Sequence, residues 1–175
     1  MKKLLILAFL CAAVTGFAAA GGLVFHAGAG YHSSFVGEVP DDLDTGSSQL
    51  KTMPLGVGGY AGLGYGFGKK RLSIGGEFAP SWDLSFDPSV SNFGYQIRGF
   101  AKFKPLDMFT ATGFVGWSGN QFLGADLNDW KDNGSAVIGG RITVLFMYAE
   151  YDVVMPWDFS EVMKHEVGLG FAIFK

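Results

Sequence analysis

Cysteine is almost missing from this chain: the single one is Cys11. It falls inside an N-terminal segment expected to be removed, so neither a disulfide nor a thiolate metal site is open to the remainder. The residue before it is Leu10, where a lipoprotein signal needs a small side chain. Histidine is nearly as scarce, and His26, His32 and His165 lack the H-x-x-x-H spacing of a zinc site. Thirteen Lys and Arg stand against sixteen Asp and Glu, so no basic bias points to nucleic acid. Although 49% of the residues are hydrophobic, no apolar run after the N-terminus reaches the length of a transmembrane helix. The apolar content must therefore be dispersed in short pieces.

A leader and one domain are expected. Residues 1–20 combine the basic start Lys2-Lys3, an apolar run from Leu4 to Val14 and the small-residue site Ala18-Ala19-Ala20. That is the pattern of a cleavable signal peptide, too short to span a bilayer as a helix. Residues 21–175 are then one exported domain, with no linker or low-complexity tail to divide them.

The clearest pattern in that domain runs from Leu55 to Phe78. Leu55, Val57, Gly59, Ala61, Leu63, Tyr65 and Phe67 alternate with glycines and Tyr60; after Gly68-Lys69-Lys70-Arg71, Leu72, Ile74, Gly76 and Phe78 alternate with Ser73, Gly75 and Glu77. A strand sends alternate side chains to opposite faces, so this is a hairpin with one apolar face and one face of glycines and polar groups. Pairing Phe67 with Leu72 and Tyr65 with Ile74 makes the apolar faces coincide. The same alternation recurs from Leu23 to Tyr31, Phe93 to Phe103, Phe109 to Trp117, Ser135 to Met155 (two strands turning near Leu145-Phe146) and Val167 to Ile173.

That makes eight strands of roughly nine to eleven residues, the length a tilted strand needs to cross a bilayer. The connections alternate between long and short. Long ones are expected at 32–51, 81–92, 118–134 and 156–164, short ones at 68–71, at Lys104-Pro105-Leu106 and at Leu145-Phe146. Pairing Ala101 with Phe109 would set Phe93 beside Trp117, and pairing Val144 with Met147 would set Arg141 opposite Glu150. An antiparallel sheet apolar over one whole face must close in lipid, because an open edge would leave backbone groups unpaired. The expected fold is all-β: a closed antiparallel eight-stranded up-and-down transmembrane barrel, greasy outside and polar inside.

Charge and aromatic placement point the same way. Eleven of the sixteen acidic residues lie in the four long connections, Asp41, Asp42, Asp44 and Asp126 among them, whereas Lys69, Lys70, Arg71 and Lys104 lie in the short ones. Trp82, Trp117, Trp130 and Trp157 sit at or beyond the long-loop ends, with Tyr31 and Phe93 at that level. Tyr65, Phe67, Phe103, Phe109 and Phe171 gather at the other end. Two aromatic girdles around an apolar band suit interfacial anchoring.

On this pattern the region from Gly21 to Lys175 resembles the small eight-stranded bacterial outer-membrane barrels of the OmpA/OmpX/OmpW type. The resemblance implies an outer-membrane location, lipid as the surrounding solvent and recognition of the last strand by the outer-membrane assembly machinery. Such chains usually end on an aromatic residue; here Phe171, Ile173 and Phe174 are followed by Lys175.

A closed barrel of eight strands is just wide enough to be filled by side chains. The inward residues Glu77, Arg98, Lys102, Arg141, Glu150, Asp152 and Glu166, with His26, read as an ion-pair network in place of an apolar core. The function expected is non-enzymatic: a surface-interaction or envelope-structural role, with the long acidic loops meeting an extracellular or envelope ligand. The alternative is a narrow channel for small solutes, hydrophobic ones included, as in OmpW-like relatives. Weaker signals are set aside. Gly56-x-Gly58 is followed by no helix, the Asp126–Asn133 cluster lacks EF-hand spacing, and His32 with Ser34 has no third residue to orient a base. No cofactor or metal is expected.

Overall fold

The computed structural model describes residues 21–36, 52–53, 55–68, 70–86, 89–123, 131–156 and 163–174. Its elements are strands throughout: β1 Gly22–Val36, the two-residue β2 Thr52–Met53, β3 Leu55–Phe67, β4 Leu72–Phe86, β5 Ser89–Leu106, β6 Phe109–Leu123, β7 Lys131–Val144, β8 Met147–Pro156 and β9 Lys164–Phe174. Each long strand pairs antiparallel with the next, β9 pairs back onto β1, and β2 adds a short flap on β1. The sheet is thus a closed eight-stranded, up-and-down barrel. The segment 1–20 and the residues Asp41, Asp42, Asp44, Asp126, Trp130 and Trp157 lie outside the described residues.

The stagger of the barrel can be read by walking across it. From Phe25 the ladder passes to Leu63, Gly76, Gly99, Val115, Ile138, Val153 and His165, and returns to β1 at Phe35. The path leaves at residue 25 and comes back at 35, a shear of ten. Ten residues of rise over eight interstrand spacings tilts the strands by roughly 40°, ordinary for a closed sheet.

Burial is the reverse of that in a soluble protein. Leu23 is 73% exposed, Leu63 and Ile97 are each 57% exposed, and Ile74, Val115 and Ile142 also face outward. The buried set is dominated by Ser, Thr, Asn, His and ionised residues, with Tyr60, Phe100, Phe114, Val137 and Tyr148 among its few apolar members. Glycine opposite each inward ring makes this possible. A Cβ added at Gly75 would lie 2.8 Å from Phe100, and one at Gly139 would lie 2.6 Å from Phe114. Interior rings and interior glycines are therefore two halves of one packing solution.

Several boundaries and one register differ from the sequence reading. β4 and β5 run through the span expected to be a loop at 81–92, so Trp82 and Asp83 are strand residues. β6 likewise continues past Ser118. The tight turn falls at Asp107-Met108 instead of Lys104-Pro105-Leu106, and Ala101 pairs with Gly113, not with Phe109. Trp117 consequently pairs with Ile97, and Phe93 with Gln121. The two hairpin registers Phe67↔Leu72 and Val144↔Met147 are as the pattern required.

Candidate functional site

The interior is crossed by a lattice centred on two arginines. Arg98 comes from β5 and Arg141 from β7, and both point inward because they share strand parity with Phe100 and Gly139. Glu77 and Arg98 are direct ladder partners, as are Arg141 and Glu150. The barrel then brings together groups far apart in the chain. Arg98 Nη1 donates to Glu150 Oε1 at 2.8 Å, Asp152 Oδ2 at 3.0 Å and Gln96 Oε1 at 3.0 Å, while its Nη2 pairs with Glu77. Arg141 donates from Nη1 and Nη2 to the two oxygens of Glu77 at 2.8 and 2.9 Å, and its Nε pairs with Glu150. Glu77 therefore takes both guanidiniums, and Glu150 does the same from the other wall.

The planar faces of the arginines are occupied too. Arg98 lies 3.8 Å from the Phe114 ring centroid and Arg141 lies 3.3 Å from that of Tyr60. Carboxylates in the plane and rings above it suit the forked geometry of guanidinium, which an ammonium could not reproduce. Arg98 is 1% exposed and Glu77 3%. Charges this deep in a low-dielectric wall are tolerable only when paired and hydrogen-bonded, as these are.

Toward the long-loop end a second cluster begins. Gln96 Nε2 donates to Glu166 Oε2 at 2.6 Å, and Lys164 Nζ lies 2.5 Å from both Glu166 Oε1 and Asn120 Oδ1. Lys164, expected in a loop, is a buried interior base. Asp83, expected in a loop, is fully buried between His32 and Ser34. His32 Nδ1 lies 2.6 Å from Asp83 Oδ1, and the Ser34 hydroxyl donates to Asp83 Oδ2 at 2.9 Å. The other nitrogen of His32 faces Glu166 at 3.6 Å. Ser34 is thus bound to a carboxylate, not to an imidazole, and no nucleophile–base relay is formed. Gln96 lies on the inner face with Arg98, as the alternation of its strand requires, whereas Asn120, Lys164 and Asp83 fall in spans read as loops; the alternation of β4, β6 and β9, carried past the apolar band, reaches them.

Toward the short-turn end, Lys102 Nζ lies 3.4 Å from His26 Nδ1, and His26 Nε2 lies 2.8 Å from Glu77 Oε2. Small voids of about 20 Å³ flank the arginine lattice on either side, one bordered by His32, Arg98 and Asp152 and the other by His26, Lys102 and Arg141.

On the exterior, the rings form two groups. Trp82, Phe93, Tyr95 and Trp117 make a continuous chain of contacts at centroid separations of 6.2, 6.4 and 5.3 Å, so Phe93 reaches Trp117 through Tyr95 and not directly. Tyr31 and the Tyr151–His165 pair stand exposed near that end. At the short-turn end Tyr65 packs edge-on against Phe67 and Phe146 stacks on Phe171, with Phe103 exposed beside β4 and Phe109 half-buried where β6 begins. Among the described residues no group of His, Cys, Asp and Glu is arranged to hold a metal ion.

Neither a family model nor a curated protein sequence matches this chain. Solved structures do. The crystal structure of Ail, the attachment invasion locus protein of Yersinia pestis, is 13% identical, covering 87% of this chain and 99% of its own at a TM-score of 0.50. The same protein with the heparin analogue sucrose octasulfate gives 12% identity, the same coverages and a TM-score of 0.46. Its backbone structure in a phospholipid bilayer nanodisc gives 14%, coverages of 85% and 99%, and 0.43. The fold of this chain is that of a small, eight-stranded outer-membrane β-barrel.

Proposed function

We propose that this chain is a non-enzymatic integral outer-membrane protein whose lumen is closed by its own ion pairs, and whose exposed long connections bind an extracellular or envelope partner. On this reading residues 1–20 are removed on export, residues 21–175 form the barrel, and β9 presents Phe171 and Ile173 to the assembly machinery. A shared fold does not carry a role, so the proposal rests on the interior. Glu77, Arg98, Arg141, Glu150 and Asp152 pair with one another between facing walls, leaving only Arg98 Nε and Asp152 Oδ1 among their buried polar atoms without a partner, and each neighbouring void of about 20 Å³ has room for about one water. Opening a path would separate a buried guanidinium from its carboxylates, which costs about 3–5 kcal/mol per broken pair. With the axis filled, contact with an extracellular partner falls to the long-loop end, where the sequence places most of the acidic residues and the tryptophans.

The test is electrical and then biochemical. Purified protein in a planar bilayer should give no discrete conductance steps, and vesicles carrying it should take up small hydrophobic solutes no faster than empty ones. Regular single-channel steps would overturn the closed lumen in favour of the conduit reading. Replacing Asp41, Asp42, Asp44 and Asp126 by Asn should weaken binding to extracellular matrix or envelope components while leaving barrel assembly intact. Unchanged binding would remove the loops from the account.

A further inference from the structure

At the short-turn end the barrel opens into a cavity of about 470 Å³ whose polar lining is almost wholly basic. Lys70 and Arg71 reach it from the β3–β4 turn, Lys104 from the end of β5, and Lys102 from the wall; Thr110 adds a hydroxyl. The backbone ties the rim together, since the Lys104 amide donates to the Arg71 carbonyl at 2.7 Å. The one carboxylate in the lining, Asp107, is fully exposed and already lies 3.2 Å from Lys104, a solvated pair that offsets little of the charge. We propose that this cavity is a binding site for a phosphate-bearing anion, with Lys102 at its floor and Lys70, Arg71 and Lys104 around its mouth.

One feature argues for an occupant and a second places a donor over the mouth. The first is Lys102. The residue is 6% exposed, and among the described residues no carboxylate lies within ion-pair distance of its ammonium, which sits 3.4 Å from His26 Nδ1. Among the described residues, the other deeply buried Arg and Lys side chains, Arg98, Arg141 and Lys164, are each matched to a carboxylate. A buried ammonium without a counter-charge is costly, and an anion entering from the mouth would supply one. The second is Lys70, which holds φ at 63°, in the left-handed region where glycine is at ease and a long side chain is not. Hairpin turns use such values in their own right, as Leu145 does at 56° in the β7–β8 turn, so the conformation places the side chain and is no sign of a ligand by itself. Here the conformation carries the Lys70 side chain over the mouth, where its Nζ also donates to the Leu23 carbonyl at 3.3 Å.

Four cations against one solvated carboxylate favour a doubly charged ligand over a simple carboxylate, and Arg71 brings the forked donors that suit phosphate oxygens. The volume falls within the range of small-ligand sites, about 300–1,000 Å³. The phosphate could belong to a lipid headgroup of the adjacent leaflet or to a soluble compound, and two probes separate these sources. The proposal does not depend on what the long loops bind.

The chain from Gly21 onward, folded in maltoside micelles that contain no phosphate, is titrated calorimetrically with inorganic pyrophosphate. In parallel it is mixed with phosphatidylglycerol, and retained lipid is counted by native mass spectrometry. Binding of either probe is expected, weakened about tenfold or more by Lys102→Met and by Arg71→Gln, and weakened also by raised salt. Pyrophosphate alone would identify a soluble ligand, and phosphatidylglycerol alone a lipid. Arg71 lies on an exposed turn, so its variant keeps the test decisive even if Lys102→Met does not fold. Failure of both probes to bind the unaltered chain, or binding that survives both substitutions, would overturn the proposal.

Discussion

Arg141 shows what a single residue carries in this barrel. It supplies three donors to two carboxylates and lies against the Tyr60 ring. Arg141→Ala would leave Glu77 and Glu150 each short of a partner, and a loss of about 3 kcal/mol is expected, read from urea-induced unfolding in lipid vesicles. Arg141→Lys should recover only part of it, because an ammonium cannot bridge two carboxylates in one plane. Equal stability of all three proteins would show that the lattice contributes nothing. Half of this arrangement could be read from sequence. Arg141 opposite Glu150 follows from a two-residue turn, but Arg98 with Asp152 and Arg141 with Glu77 join strands that are not neighbours. Those contacts depend on the stagger of the closed sheet, which no local pattern encodes.

At the scale of the strand, glycine divides into two populations. At Gly139 a Cβ would lie 2.6 Å from Phe114 and 2.6 Å from the Tyr151 carbonyl, whereas at Gly113, on the outer face, nothing lies within 4 Å. Gly139→Ala should therefore destabilise by about 1–3 kcal/mol through overpacking. Gly113→Ala should be neutral or stabilising by up to about 1 kcal/mol, since it only stiffens the chain. Comparing the two by urea titration checks the claim, and equal effects would refute it.

The same scale explains the register that the sequence reading missed. The observed partner of Ala101 is four residues from the expected one, an even number. An even slip leaves every side chain on its own face, so the apolar pattern was satisfied by both registers and could not choose. Pro105 also resembled a turn residue, yet it lies in β5 near its end. The strand ends were misjudged for a different reason. From Ser81 to Phe86 and from Ser118 to Leu123 the strands carry Ser, Asp and Asn on their inner face, residue types that also mark loops, although Trp82 and Leu84 keep the outer face of β4 apolar.

For the whole molecule, the decisive property is which solvent meets which side. Val115 is 59% exposed at mid-strand and Leu106 is 61% exposed beside a turn. Exposure is nearly equal, so an aqueous exterior would make an arginine equally harmless at both. In a bilayer, Val115→Arg should cost about 2–4 kcal/mol and Leu106→Arg about 0–1. Folding titrations in lipid vesicles distinguish these outcomes, and two small values would refute the membrane reading. The fold class was legible because this inversion is written into every strand as a period of two. The cavity at the turn end was not, because it arises only where separate hairpins converge.

The return of the ladder from Phe25 to Phe35 carries one more implication, for how such an object comes into being. Its final seam joins the earliest-synthesised strand to the last, and the hydrogen bonds of that seam exist only when the circuit is complete. Until then two raw borders face outward, each able to recruit a stranger. A hoop cannot be nine-tenths finished: a chain lacking β9 has no smaller version of this cylinder to fall back on. Closure is therefore expected as a single event, the two borders meeting before either pairs elsewhere.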